Sequence, residues 1–315
     1  MTTPRVRVII DNDFSGDPDD LFQLVHHLLS PSVTVPFVIG SHLAPQDPFD
    51  DSDRQADNAA RIAEQVLDLL DLGGSVPVHA GSNTGLASPT EPIDGPAARA
   101  IIAEALRDDP DPLYIALGGG LTDLASALLI EPRIADRFTA IWIGGGEHDG
   151  LGSPPPDADP IEYNLAIDVA AATAVFDHSW VEIWQVPRNV YRQCLVSRVE
   201  LERRVRPRGP VGAYLVEAID RAVAAIESAG APMGETYALG DSPLVLLTAL
   251  QSPFQPDPSS SEHVVLPTPR ITADGRYRPN PNGRPMRVYT RVDTRLMFED
   301  LFLKLEVAAE GGRVA

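Results

Sequence analysis

Short apolar runs rich in β-branched residues alternate along this chain with stretches whose apolar positions recur every three or four residues. The runs cover residues 6–10, 35–39, 76–80, 113–117, 140–143 and 181–186. Helical periodicity marks 21–29, 58–70, 97–107, 121–130 and 169–176 between them, and 215–228 and 243–250 further on. Such alternation predicts an α/β fold whose mainly parallel sheet is flanked by helices. The later stretch SSSEHVVLPTPRITADGRYR reads as strand, turn and strand, with Asp274-Gly275 as the turn. RVYTRV follows as a strand and TRLMFEDLFLKL as a closing amphipathic helix. Pro- and Asp-rich stretches at 44–57, 150–160 and 253–261 read as loops. No repeat and no long linker divides the pattern, so one domain spanning 1–315 is expected.

Composition narrows the function. Hydrophobic residues make up 43% of the 315, enough for a sizeable core. No apolar run approaches the roughly 18 residues of a membrane span, and no signal-peptide pattern opens the chain. A cytoplasmic protein is the expectation. The net charge of −20 repels nucleic-acid phosphates and anionic lipid, so neither is an expected partner. The lone Cys194 excludes an intrachain disulfide and a cysteine-based zinc site.

The most informative stretch is DNDFSGDPDD, where Asp11, Asp13, Asp17, Asp19 and Asp20 follow the first β-like run. A calcium-binding helix-loop-helix is excluded: its twelfth position needs a bidentate Glu and is Phe22, and the preceding segment is β-like. A haloacid-dehalogenase-type phosphatase fits the Asp-x-Asp after a strand, with Asp11 as nucleophile. It lacks the acidic residue expected soon after Gly240-Asp241-Ser242. The third reading rests on helix chemistry. Asp17 caps a helix, Pro18 takes its first position, and Asp19 and Asp20 lie in its first turn, facing the strand end that carries Asp11 and Asp13. Converging hard oxygens of this kind suit Ca²⁺ or Mg²⁺. GGGLTD and GGGEHDG also follow predicted strands, and sites of α/β sheets gather at that rim.

With these motifs in order, the chain resembles the inosine–uridine-type nucleoside hydrolases. ALGGGLTDLASALL is similar to their Gly-Pro-Leu-Thr-Asn segment and IWIGGG to their Met-Gly-Gly. EYNLAIDVAAATAVF is similar to the Glu-Phe-Asn segment and its helix, GDSPLVLLTAL to the His-Asp segment, and VYTRVDTRLMFEDLFLKL to the terminal strand and helix. The resemblance implies a doubly wound fold with a Rossmann-like core, holding one Ca²⁺ at the bottom of a pocket. It implies hydrolysis of the N-glycosidic bond of a ribonucleoside or related N-riboside, a setting in purine or pyrimidine salvage, and often a homo-oligomer. By that resemblance Asp13 binds the metal and serves as general base toward a metal-activated water. Asp20, Asp241 and the backbone carbonyl of Thr122 complete the ligands. Asp19, Glu162 and Asn164 hold the ribose hydroxyls, with Ser41 and His42 beside them.

Departures from the family pattern are informative too. The acidic pair lies two residues later than usual, which leaves Asp17 and Asp11 as alternative ligands. Gly240 stands where one branch carries the histidine that protonates the leaving base, and Ser41 replaces a ribose-gripping asparagine. His42 and His148 read as surface histidines, while Trp142, Trp180 and Trp184 read as core. A calcium-containing ribose-binding protein without turnover is therefore the rival from another class.

Overall fold

The computed structural model describes residues 4–178, 180–251 and 261–311. The expected loop at 253–261 lies almost wholly outside them. Among the described residues the strands run in chain order: β1 (Val6–Asn12), β2 (Val33–Thr34), β3 (Val38–Gly40), β4 (Val78–Ala80), β5 (Leu113–Leu117), β6 (Thr139–Ile143), β7 (Glu182–Val186), β8 (Leu195–Ser197), β9 (Thr236–Ala238), β10 (Glu262–Pro267), β11 (Arg270–Ile271), β12 (Tyr277–Arg278) and β13 (Pro285–Arg291). The helices are α1 (Asp19–Leu28), α2 (Gln55–Leu69), α3 (Pro96–Ala105), α4 (Thr122–Ile130), α5 (Tyr163–Ile167), α6 (Val169–Asp177), α7 (Arg188–Tyr191), α8 (Arg198–Glu200), α9 (Gly209–Ser228), α10 (Pro243–Thr248) and α11 (Thr294–Ala309).

The main sheet has the order β10-β13-β7-β6-β5-β1-β3-β4, with β2 on the start of β1. Every pairing in it is parallel except β10 with β13. The order reverses at β1, which pairs with β5 on one side and β3 on the other. That is the switch point at which doubly wound sheets open a crevice. The turn at Asp274-Gly275 joins β11 to β12, whereas β10 pairs with β13.

Alternation along β1 sets up both faces. Val8 and Ile10 pack among α1, α2, α9 and α10, while Ile9 packs with α3 and α4 on the opposite face. Successive side chains of a strand point to opposite faces. Continued to the end of β1, the same alternation sends Asn12 toward α1 and Asp11 toward α4. At the end of β3, Gly40 lies against α2: a Cβ there would sit 2.2 Å from the amide nitrogen of Ala60. Among the described residues no helix is long and apolar enough to cross a membrane.

Candidate active site

The ends of β1 and β5, the start of α1 and the loop before α10 surround a cavity of about 690 Å³. Its floor carries Asp13, Asp17, Asp19, Asp20 and Asp241. One carboxylate oxygen from each of Asp19, Asp20 and Asp241 falls within 4.8 Å of the other two. Chain geometry explains the gathering: α1 begins at Asp19, so Asp19 and Asp20 occupy its first turn and face back over β1. Asp241 arrives from 222 residues beyond Asp19 and is held by two contacts. Its amide donates to Asp19 Oδ2 at 3.2 Å, and Asn12 Nδ2 donates to its Oδ2 at 2.5 Å. Asn12 Oδ1 in turn accepts the amide of Asp13 at 3.1 Å. Gly118 makes room for this. A Cβ there would lie 2.0 Å from Asp241 Oδ2 and 2.3 Å from Asn12 Nδ2.

Packing so many acids out of water drives their pKa values upward. Burial, then the charge of Asp241, pushes Asp13 to about 8. Burial likewise pushes Asp241 to about 7. Asp20 rises well above its ordinary value through burial and then Asp13, and Asp19 through burial and then Asp17. Buried oxygens Asp13 Oδ2 and Asp20 Oδ2 have no hydrogen-bond partner. Hard carboxylate oxygens converging at a few ångströms could hold a metal ion. The trio that could hold a metal is Asp19, Asp20 and Asp241, with Asp13 beside it on the cavity floor.

The helix-capping role expected of Asp17 is only partly realised. The helix starts one residue later, with Pro18 at its cap. Asp17 Oδ1 reaches the Asp19 amide at 3.4 Å and accepts from the Tyr237 hydroxyl at 2.9 Å. Asp241 makes no side-chain cap for α10 either.

A second wall comes from α5. Asn164 lines the cavity, and its Nδ2 donates to the carbonyls of Gly118 at 2.6 Å and Ile143 at 2.8 Å. Glu162 stands behind it. Its Oε1 accepts from Asn164 N at 3.1 Å and from the Tyr191 hydroxyl at 2.7 Å. Its Oε2 accepts from Leu165 N at 3.0 Å and Gly145 N at 2.5 Å. Gly145 holds that position at φ +80°, where a Cβ would meet the Tyr277 hydroxyl at 2.1 Å. With both oxygens taken, Glu162 orients Asn164 and Tyr191 rather than lining the cavity.

Ser41, His42 and Thr122 lie elsewhere. They sit across β1 with Asp11, Asp123 and Asp168, on the α4 side. Thr122 Oγ1 donates to Asp168 Oδ2 at 2.7 Å, and His42 Nε2 bonds that hydroxyl at 2.9 Å. Asp168 caps α6 through Ala171 N at 2.8 Å and also accepts from Leu86 N at 2.7 Å. Ser41 and Asp11 are buried beside one another on this side. From the β5–α4 turn the cavity wall is Gly118, not Thr122. Asp11 is 1% exposed and off the cavity wall, so it offers no nucleophile to a phosphoryl substrate.

Three aromatic expectations change. His42 and His148 are buried rather than exposed: His148 Nε2 bonds Gln185 Oε1 at 2.8 Å, and its ring stacks on Tyr277. Trp142 and Trp184 are core residues, but Trp180 is 74% exposed. The aromatic side chains lining the cavity are instead Phe49, Tyr163 and Tyr191. Only Tyr163 had a sequence cue, standing inside the quoted EYN segment.

This α/β fold is shared with solved nucleoside hydrolases. A solved plant nucleoside hydrolase superposes with TM-score 0.72 over 96% of this chain and 99% of its own, at 21% identity, which speaks to the fold. The family profile "Inosine-uridine preferring nucleoside hydrolase" matches residues 8–298. The chain belongs to that family. An inosine-uridine preferring nucleoside hydrolase of Leishmania major is 32% identical over 151 residues, 45% of this chain and 46% of that protein. The matched stretch thus spans less than half of that relative. A pyrimidine-specific ribonucleoside hydrolase of Salmonella newport is 28% identical over 225 residues, 66% of this chain and 69% of that protein.

Proposed function

We propose that this protein is a Ca²⁺-dependent hydrolase of the N-glycosidic bond of a ribonucleoside or related N-riboside. The observation that carries the proposal is the carboxylate trio Asp19, Asp20 and Asp241 beside Asp13, on the floor of a cavity large enough for one nucleoside. When bound there, the cation lowers the pKa of the attacking water and grips the sugar diol. Asp13 accepts the proton that water gives up. Asp19 and Asn164 hold the ribose hydroxyls. Glu162 acts through Asn164, fixing its backbone and the Tyr191 ring. Positive charge that builds on the ribose ring as the bond breaks is stabilised by the fixed carboxylates beneath it. Thr122, Ser41 and His42 are assigned no contact with metal or substrate, because none of them lines the cavity.

The test is reducing-sugar release from purine and pyrimidine ribonucleosides by wild type, an EDTA-treated sample and Asp13→Ala. Release by wild type alone supports the proposal. Ribose binding without release from any N-riboside makes the protein a binder without turnover.

A further inference from the structure

The cavity is equipped for one half of glycoside cleavage only. Its floor carries five carboxylates, and no Arg, Lys or His lines it among the described residues. Gly240 is part of the wall, with Tyr191 packed where a side chain would emerge: a Cβ there would lie 3.2 Å from the Tyr191 ring. The remaining hydroxyl donors on the wall are already committed. Tyr163 donates to Asp47 Oδ2 at 2.6 Å and Tyr191 to Glu162 Oε1 at 2.7 Å. Burial, reinforced by Asp13 for Tyr163 and by Glu162 for Tyr191, holds both phenols far above their ordinary range. The side-chain amide of Asn164 spends its donors on Gly118 and Ile143. Around these groups the wall is apolar, with Phe49, Ala225, Ile226 and Ala229 facing the space.

A neutral nucleoside gives up its base as an anion unless a proton is supplied. No basic side chain on this wall supplies one, and with a divalent cation bound the five carboxylates still outnumber its two positive charges, so a departing anion leaves through a net negative floor. Asp17 sharpens the contrast. It adds a carboxylate beyond those assigned to metal and ribose, is fixed by Tyr237, and faces no basic side chain in the cavity.

Building on the hydrolase reading above, we propose that the preferred substrates are N-ribosides whose leaving heterocycle already carries a positive charge, such as a pyridinium riboside or an N7-alkylated purine riboside. The C1′–N bond breaks with its electron pair going to the ring nitrogen, which neutralises the heterocycle. The water oxygen bonds to C1′, and the water proton passes to Asp13 and then to solvent. Cationic riboside and water thus give ribose, neutral heterocycle and one proton, with no acid needed. Asp17 attracts the cation, and Phe49 on the same wall offers it an aromatic contact.

The experiment is kcat/KM of the metal-loaded protein for an N-ribosylpyridinium, 7-methylinosine, inosine and uridine. A series of ring-substituted pyridinium ribosides of graded leaving-group pKa accompanies them. A cationic-over-neutral preference of about 100-fold or more is expected, the scale that a missing general acid sets. Within the series, kcat should fall steeply as leaving-group pKa rises, since nothing protonates the departing nitrogen. Asp17→Asn should shrink the cationic-over-neutral preference about tenfold. Equal or better turnover of inosine or uridine overturns this proposal and leaves the hydrolase reading standing. Inertness of every riboside in the panel overturns both.

Discussion

Asn12 Nδ2 lies 2.5 Å from Asp241 Oδ2, joining the end of the first strand to a carboxylate 229 residues later. The same amide accepts the Asp13 N–H at 3.1 Å through its Oδ1 and lies 3.4 Å from Gln23 Oε1. One side chain therefore sets the separation of two proposed metal ligands. Residues that orient ligands in this way typically change metal affinity 10–100-fold when removed. Asn12→Ala is expected to weaken Ca²⁺ binding by about that factor in calorimetric titration. An unchanged Kd would show that Asp241 needs no such support.

Gly118 is expected to tolerate no side chain. In Gly118→Ala the new Cβ falls 2.0 Å from Asp241 Oδ2, so Asp241, Asn12 or the β5–α4 turn must move. Overpacking of this kind costs about 1–3 kcal/mol and here also displaces a proposed ligand. Gly146→Ala is the matched control, since its Cβ meets nothing within 4 Å. Urea denaturation and metal titration of both variants check the contrast. Equal loss in the two would sink the close-approach argument.

The acid cluster gives metal-free protein a pH signature. Unfolded, these carboxyls ionise near the ordinary 3.8, whereas folded Asp13 keeps its proton to about 8 and Asp241 to about 7. Between those limits the folded chain binds more protons than the unfolded chain, so its stability falls as pH rises. The EDTA-treated protein should therefore lose several degrees of Tm between pH 5 and pH 8. Saturating Ca²⁺ should restore more at pH 8 than at pH 5, because metal and proton compete for the same oxygens. Scanning calorimetry at both pH values checks this, and a Tm that rises with pH in EDTA would contradict it.

The cluster on the α4 side is expected to hold the fold rather than the metal. Asp168 accepts from Leu86 N, Ala171 N and Thr122 Oγ1, tying three segments at one buried carboxylate. Asp168→Ala strands those donors and should destabilise by about 3 kcal/mol in denaturant unfolding. Ca²⁺ affinity of the folded fraction should change less than twofold. A large drop in affinity with little loss of stability would move Asp168 into the metal site.

The sheet was legible because a strand buried on both faces is a continuous apolar run. Residues 113–117 coincide with β5, and 6–10 differ from β1 only by the polar end Asp11-Asn12. The expected run at 35–39 overreached, since Pro36 lacks the N–H of a ladder residue and the strand begins at Val38. Strands β8 and β9 left no trace. They are three residues each and pair with one another across about forty residues of chain, so no local pattern encodes them.

For the site, the sequence revealed carboxylates and could not reveal partners. Asp13, Asp19 and Asp20 are neighbours in the chain, and helix-end chemistry brought them to one place. Asp241 and Asn164 joined them only through the family resemblance. The same resemblance placed the Thr122 carbonyl at the metal and Ser41 and His42 beside the substrate, whereas the side chains of Thr122 and His42 bond one another and Asp168 away from the cavity wall. His42 and His148 were read as exposed because nothing near them in sequence announces Thr122 or Gln185 as partners. Tyr191 and Asn12 were overlooked because a tyrosine after a strand and an asparagine within one have commonplace roles.

The most direct measurement is ribose release by EDTA-stripped protein as Ca²⁺ is added back, followed on the same samples as bound calcium. The account expects release from an N-riboside to appear with the first bound ion per chain and to saturate with it, while Asp13→Ala stays at background. Full release in excess EDTA, or wild-type release by Asp13→Ala, would contradict it.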